Sequence, residues 1–240
     1  MSWGLNSSYR RAAIAALLAA AVAMPAAAAV LVVRSTGPSA AAYPAGRSLP
    51  DNARLNLRAG DAVIVLGAGG TRTFRGPGTF SPGSAVQAGA RTFAAADGRR
   101  ARIGAVRGAG IVPHSPTIWH VDVTQSGTFC LARASHVMLW RPDATVPVTL
   151  TITGAGGAPR TLRWAAGQAT VAWPTAIPIA NNASFSIAQS GVAVPTQVTF
   201  RTLAREPADL EGVASALIEN GCQGQLDVLV ESQPDMSPAG

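Results

Sequence analysis

Residues 60–78 read GDAVIVLGAGGTRTFRGPG, and two architectures fit this stretch. An apolar run followed by Gly-Ala-Gly-Gly can open a helix whose N-terminus binds phosphate, which would indicate a nucleotide-binding enzyme. The same run can form one arm of a β-hairpin. After the glycines, Thr-Arg-Thr-Phe alternates as a strand does, and Gly76-Pro77-Gly78 prevents a helix. The stretch therefore predicts two strands joined by a glycine turn.

The same pattern of short alternating runs, separated by Gly or Pro, extends along most of the chain. A second Gly-Ala-Gly-Gly turn occurs in LTITGAGGAPRTLRW. From Ile118 onward we identify eight candidate strands: IWHVDVTQ, GTFCLARA, HVMLWRP, VPVTLTIT, RTLRWAA, ATVAWP, ASFSIAQ and TQVTFRTL. Eight short strands within about 85 residues predict a mainly β fold, either an immunoglobulin-like β-sandwich or a compact barrel.

Four tryptophans fall within these candidate strands: Trp119, Trp140, Trp164 and Trp173. A large ring in a strand most often anchors the core, so we expect these side chains to be buried. The alternative is an exposed platform on which a sugar ring stacks.

A helical period replaces the β pattern near the C-terminus. Residues 207–220 are predicted to form a helix that begins near Pro207 and stops at Gly221. Its apolar stripe consists of Leu210, Val213, Ala214, Leu217 and Ile218. We predict a last strand in QLDVLVE, residues 225–231, and a disordered tail over 232–240.

The first residues are typical of an export signal. Two arginines precede an uncharged, alanine-rich run that is broken by Pro25 and followed by small residues. This predicts a signal peptide over residues 1–29 and a periplasmic or secreted protein. The alternative is an uncleaved anchor formed by residues 12–33, which is about long enough to cross the inner membrane.

Two cysteines, Cys130 and Cys222, lie in the exported part. An even count in an oxidising compartment predicts one disulfide, which would hold the helix end against the β-sandwich. The alternative is a pair of buried thiols.

Charge is distributed unevenly along the 240 residues, whose net charge is +7. Residues 30–205 carry a net charge of +12, and residues 206–240 carry −7. The acidic end can pack back on the basic body, or the body can present a basic face to an anionic partner. Because the arginines are scattered rather than clustered, we favour the first interpretation.

The stretch LRAGDAVIVLGAGGTRTFRGPGTF resembles the core of FecR-like extracytoplasmic domains, in which a glycine turn precedes an apolar strand and a GPG-type turn follows. The resemblance covers residues 30–85 and implies a small β domain with a role in envelope signalling or assembly. FecR-like regulators carry a cytoplasmic domain before the membrane segment. The short N-terminus here departs from that pattern, which argues against direct sigma-factor regulation.

Residues 86–117 are rich in Gly, Ala and Arg, and we interpret them as a linker with a short helix near residues 85–96. The densest basic cluster of the chain lies here: Arg99, Arg100, Arg102 and Arg107. This cluster is a candidate site for an anionic lipid or glycan. Export makes nucleic acid a poor partner.

Catalytic residues are sparse in the β region. His120 and Asp122 are two residues apart on one predicted strand and share a face, and His136 follows nearby. They could belong to a metal or serine hydrolase, with Ser126 or Ser135 as the nucleophile. The spacing matches no known ligand pattern, and Gly-x-Ser-x-Gly does not occur. We therefore expect no metal, no cofactor and no enzymatic activity.

The sequence as a whole predicts an exported binding or scaffolding protein with a β-sandwich over residues 118–231. Its expected partner is another envelope protein, and it meets the membrane only through an uncleaved N-terminal segment. A glycan- or anionic-lipid-binding module is the first alternative. A hydrolase that uses His120, Asp122 and His136 is the second.

Overall fold

The computed structural model describes residues 29–83 and 115–237. The predicted signal peptide up to residue 28, most of the predicted linker with its short helix, and the cluster Arg99, Arg100, Arg102 and Arg107 lie outside these ranges. The first range forms six strands: β1 (Ala29–Thr36), β2 (Ser48–Pro50), β3 (Leu55–Leu57), β4 (Ala62–Gly67), β5 (Gly70–Arg75) and β6 (Gly78–Phe80).

The N-terminal strands form an antiparallel sheet of order β2-β1-β4-β5 and a separate pair, β3-β6. β4 and β5 are joined by Ala68 and Gly69 alone, with Gly67 opposite Gly70. The hairpin predicted from the glycine-rich stretch is therefore confirmed.

The second range contributes eight strands: β7 (His120–Asp122), β8 (Gly127–Leu131), β9 (Met138–Trp140), β10 (Val148–Gly154), β11 (Arg160–Trp164), β12 (Thr170–Ala172), β13 (Ser184–Gln189) and β14 (Thr196–Thr202). Each of the eight predicted segments contains one of them. The chain is mainly β, as predicted.

Two sheets in the second range share one core. The five-stranded sheet has the order β11-β10-β13-β14-β8, and the three-stranded sheet has the order β12-β9-β7. β8 runs parallel to β14, and β7 runs parallel to β9. Trp173 packs edge-on against Phe185 and Phe200, at centroid distances of 5.0 and 5.2 Å.

The tryptophans mostly occupy the core, as expected from their strand positions. Trp140, Trp164 and Trp173 are buried, and Trp119, just before β7, is half-buried. The three buried rings therefore give no support to an exposed sugar-stacking platform.

The chain then forms two helices, α1 (Leu210–Glu219) and α2 (Gln223–Ser232). α1 confirms the predicted helix, but it begins later than Pro207. Asp209 is the N-cap, and its carboxylate accepts a hydrogen bond of 2.7 Å from the Gly212 backbone N–H. Gly221 ends the helix with a φ of 69°, a conformation that favours glycine. The predicted apolar stripe faces a core.

The predicted last strand over residues 225–231 is wrong, because this segment belongs to helix α2. Its buried residues, Gln225, Leu226 and Leu229, follow Cys222 at intervals of three to four, which is the period of a helix face. The alternation of apolar and polar residues in Leu-Asp-Val-Leu-Val is typical of a strand, but the buried residues of this segment do not alternate.

The predicted disorder of residues 232–240 is wrong as far as residue 237. Ser232 ends α2, and Pro234 and Met236 form backbone hydrogen bonds with Thr71 of β5. The free edge of β5 supplies the partners that fix this segment. Residues 238–240 lie beyond the described part of the chain.

Strand β1 is buried on both faces. Val30 and Val32 face a core that is formed within the N-terminal strands. Leu31 and Val33 face a second core, which contains Ala214, Leu217, Leu226, Leu229 and both cysteines. A strand with two buried faces reads as a continuous apolar run, as VLVV does. The helix pair therefore lies between the N-terminal sheet and β8.

The position of β1 also corrects the C-terminal bound of the alternative membrane anchor. That anchor is predicted over residues 12–33, but residues 30–33 belong to the sheet and are buried there. Backbone groups that pair with β2 and β4 cannot also lie in a bilayer helix.

Cys130 and Cys222 form a disulfide, as predicted, with their Cα atoms 5.8 Å apart. The Gln225 side chain, which is 3% exposed, reinforces this junction. Its amide oxygen accepts a hydrogen bond from the Cys130 backbone N–H, and its amide nitrogen donates to the carbonyls of Cys130 (3.0 Å) and Ile118 (2.7 Å). We call this set of interactions the Cys130 junction.

The acidic C-terminal end packs back on the basic body, as we favoured. Arg34 of β1 forms an ion pair with Asp227 of α2. Arg133 forms another with Glu206, at 2.8 Å. Both pairs are largely exposed, so each contributes little to stability and mainly orients the segments.

Arg141 shows that not every arginine belongs to a basic surface. It is 1% exposed and donates hydrogen bonds to the carbonyls of Val146 (2.8 Å), Ala165 (2.7 Å) and Gln168 (3.1 Å). Its guanidinium lies 4.9 Å from the centroid of the Trp164 ring. These contacts hold two loops together.

Replacing Gln225 tests the Cys130 junction. We expect Gln225→Leu to lower the free energy of unfolding by about 3 kcal/mol, because the Cys130 N–H and C=O lose their buried partner. Gln223→Leu, two residues earlier and exposed, is the matched control and should change it by less than about 0.5 kcal/mol. Urea unfolding of both variants measures the difference. Equal effects would contradict this role of Gln225.

Candidate functional site

A groove that encloses about 570 Å³ runs between the start of the second β region and helix α2. Its lining comes from three segments, residues 115–122, 125–129 and 221–231. We call it the helix–strand groove. The Cys130 junction fixes its width, because both walls meet there.

One wall of the groove is the edge strand β8. The Leu131 carbonyl accepts a hydrogen bond from Leu203, so Leu131 and, at alternate positions, Phe129 pair toward β14. Cys130 and Thr128 therefore face the opposite edge. Gln225 covers Cys130. The backbone N–H and C=O of Thr128 therefore face away from β14, and Thr128 lines the groove.

The other wall is the N-terminal turn of α2. The first intrahelical bond runs from the Leu226 N–H to the Cys222 carbonyl, and Cys222 provides no side-chain cap. The backbone N–H groups of Gln223 and Gly224 therefore have no intrahelical acceptor. Nothing lies within 4 Å of the place that a Cβ of Gly224 would take, so the wall is open there.

The lining carries negative charge, although the whole chain is basic. Asp122, Asp227 and Glu231 contribute carboxylates, and none of the described residues that line the groove is an arginine. Asp227 accepts a hydrogen bond of 2.9 Å from the Gln223 side chain, and its charge is offset by the ion pair with Arg34. With Asp122 in its wall and no arginine among the described lining residues, the groove is suited to a ligand that presents hydrogen-bond donors or a cationic group.

His120 and Asp122 share a face of β7, as predicted, on either side of buried Val121. Both residues line the groove. Each has its own partner. His120 Nδ1 lies 2.7 Å from the Thr117 hydroxyl. An Asp122 carboxylate oxygen accepts hydrogen bonds from the Thr124 backbone N–H (2.8 Å) and hydroxyl (2.7 Å). These contacts explain both residues as parts of local turns.

Burial of the imidazole holds the pKa of His120 below its ordinary value, and a hydrogen bond to Thr117 acts in the opposite direction. His120 is therefore neutral at pH 7. A neutral imidazole can accept or donate one hydrogen bond to a ligand in the groove.

His136 lies in a different pocket, of about 270 Å³, with Trp119, Arg133 and Glu206. Its Nδ1 is 3.1 Å from the Ser135 hydroxyl. The Ser126 hydroxyl, at the groove, accepts a hydrogen bond of 3.0 Å from the Gln197 backbone. The predicted hydrolase residues are therefore divided between two pockets.

The two cysteines and the possible metal and membrane-spanning segments can also be compared with the structure. Cys130 and Cys222 are joined, so neither sulfur can act as a thiolate ligand. Among residues 29–83 and 115–237, no three His, Cys, Asp or Glu side chains are placed to hold a metal ion. Within the same ranges, neither helix is long and apolar enough to span a bilayer.

Sequence reasoning missed the helical wall of the groove and the role of Gln225. The available signal was the spacing of Cys222, Leu226 and Leu229, which is helical. A glutamine beside buried Cys222, Leu226 and Leu229 on such a face needs a polar partner, and the edge of β8 provides it.

No known protein family, curated protein or solved structure matches this chain. The resemblance to FecR-like domains over residues 30–85 therefore stays a prediction.

The environment of His120 predicts its titration. Because its folded pKa is below the ordinary value of about 6.5, the unfolded chain binds a proton first as the pH falls. The contribution of His120 to the free energy of unfolding is therefore complete above about pH 6.5, and it decreases as the pH falls below that value. We expect the NMR titration midpoint of the His120 ring to lie below that of a histidine in an unstructured peptide. A midpoint at or above the peptide value would contradict the burial argument. His120→Gln assigns the resonance.

Proposed function

We propose that this chain is an exported, non-enzymatic binding or scaffolding protein of the bacterial cell envelope, and that the helix–strand groove holds an extended segment of another envelope protein. The observation that carries the proposal is the backbone edge of Thr128, which faces away from β14 at the wall of a groove, next to an edge position that Gln225 closes. An extended peptide can pair with such an edge.

Export is supported by two features that do not depend on the groove. The first residues have the composition of a signal peptide. The cysteines form a disulfide, and such bonds persist mainly in oxidising compartments.

The arrangement of the second β region supports a recognition scaffold. We propose that the five-stranded and three-stranded sheets form an immunoglobulin-like sandwich, since their inward-facing side chains share one core. Rigid β scaffolds of this kind present loops and edges to partners. We extend the proposal to residues 30–85 as a FecR-like unit with a part in envelope signalling or assembly.

The charge of the groove supports a basic partner segment. Asp122 lies in its wall, and a lysine or arginine of the partner would pair with this carboxylate. Asp227 is already paired with Arg34 and contributes less. The open N–H groups at Gln223 and Gly224 can bind the carbonyls of the same segment. The partner is thus an extended stretch that combines free backbone groups with a positive side chain.

Photo-cross-linking in intact cells tests this proposal. A cross-linking amino acid at Gln125 or Gln223, both at the groove, should give one recurring adduct with another envelope protein. The same amino acid at Gln168, an exposed glutamine in a turn that does not line the groove, is the matched control and should give none. Purification under denaturing conditions and mass spectrometry identify the adduct.

Two outcomes would contradict the proposal. Adducts at Gln168 as abundant as those at Gln223 would mean that the groove is not the contact site. Catalytic turnover that is lost in His120→Gln or Asp122→Asn would mean that the protein is an enzyme. Asp122→Asn is a mild change, because the amide oxygen can still accept the Thr124 hydrogen bonds.

A further inference from the structure

The C-terminal segment pairs with the outer edge of β5 as an additional short strand. Thr71 donates its backbone N–H to the Pro234 carbonyl (3.0 Å) and accepts from the Met236 N–H (2.8 Å). Asp235 lies opposite Thr71 in a parallel bridge. The Thr73 N–H donates to the Ser237 hydroxyl at 2.7 Å. Two consecutive outward-facing positions of β5 are therefore occupied.

A glycine of β5 leaves the space that this segment occupies. A Cβ on Gly70 would lie 2.4 Å from the Pro234 carbonyl oxygen, so only glycine permits the approach. Gly70 also has a φ of 125°, which glycine tolerates and other residues rarely adopt. The glycine that begins β5 thus also admits a second chain segment.

The bound segment is ordered by its own side chains. The Asp235 carboxylate accepts hydrogen bonds from the Ser237 N–H (2.9 Å) and hydroxyl (2.5 Å). This small turn aims the hydroxyl oxygen of Ser237 at Thr73. A Pro-Asp-x-Ser pattern is therefore sufficient to produce the observed contacts.

The segment is held weakly. Pro234, Asp235 and Met236 are exposed, and the Met236 side chain packs against little, with an exposed fraction of 47%. The segment is bound mainly by the two main-chain hydrogen bonds of Thr71 and by the bond from the Thr73 N–H to the Ser237 hydroxyl. An edge strand accepts any extended chain that offers the same groups, so a competing segment can replace this one.

We propose that the outer edge of β5 is a peptide-binding site for an extended segment of another protein chain, and that residues 234–237 fill it as a built-in competitor. The ligand runs parallel to β5 and presents a carbonyl, an N–H and a hydroxyl at the spacing of Pro234, Met236 and Ser237. This site is separate from the helix–strand groove and does not depend on the function proposed for it.

Covalent attachment gives the chain's own segment an advantage over a free peptide. A short tether corresponds to an effective concentration of the order of millimolar. A foreign segment therefore binds measurably only when the tail is released, or when it pairs with more of β5 than the tail does.

The test uses the full-length chain and a labelled peptide of residues 233–240. The double variant Met236→Pro/Ser237→Ala removes the N–H and the hydroxyl that contact β5 and so releases the tail. Fluorescence anisotropy should give a peptide affinity at least about tenfold higher for this variant than for wild type. Met236→Leu keeps the N–H and is the matched control, so it should behave as wild type does.

A third change locates the site. Thr71→Pro, added to the released variant, removes the N–H that donates to Pro234. It leaves the β4 ladder intact, because the described bonds of Thr71 both face the tail. Peptide binding should be lost.

Amide hydrogen exchange provides a second readout. The Thr71 and Thr73 amides should exchange slowly in wild type, rapidly in the released variant and slowly again when the peptide is added.

Several results would overturn the inference. Equal peptide binding by wild type and the released variant would mean that the peptide binds elsewhere. Binding that survives Thr71→Pro would mean the same. Absence of binding to the released variant, with Thr71 still protected, would mean that the edge is closed. Concentration-dependent dimers of the wild-type chain, lost in Met236→Pro/Ser237→Ala, would identify a second copy as the occupant instead.

Discussion

The Cys130 junction joins the helix pair to the five-stranded sheet, and the position of the helices relative to both β regions depends on it. Cys130 lies on the edge of the five-stranded sheet, and helix α2 satisfies it twice, through the Cys222 sulfur and through the Gln225 amide. The disulfide closes a separation of 92 residues, so it removes many conformations from the unfolded chain. The glutamine fixes the orientation that a flexible covalent bond alone would leave open.

From that junction the helix pair reaches the N-terminal sheet. Leu31 and Val33 of β1 pack on the same core as Leu217 and Leu226, so the pair serves as a shared layer between two β regions. The ion pair of Arg34 and Asp227 lies at the margin of this contact. The acidic end of the sequence thus offsets part of the charge of the basic body and also forms one wall of the groove.

Much of this architecture could be predicted from local sequence. Alternation and glycine turns predicted all the strands of the second region, and two cysteines in a chain predicted to be exported predicted the disulfide. Helix α2 was missed although the spacing of Cys222, Leu226 and Leu229 is helical. The paired tail was missed because its conformation depends on a distant partner. Gln225 is explained only by the edge of β8, and Pro234 only by the space at Gly70. The groove is equally non-local, since its walls come from segments about 100 residues apart.

The helix pair, held at Cys130, couples the two β regions. Amide hydrogen exchange in the wild-type chain and in Cys130→Ala/Cys222→Ala tests this coupling. We expect faster exchange in α1, α2 and strand β1 together in the variant, with protection retained in β10 and β13 at the centre of the five-stranded sheet. If β1 kept its full protection while both helices exchanged rapidly, the N-terminal sheet would be independent of the helix pair, which would contradict the coupling.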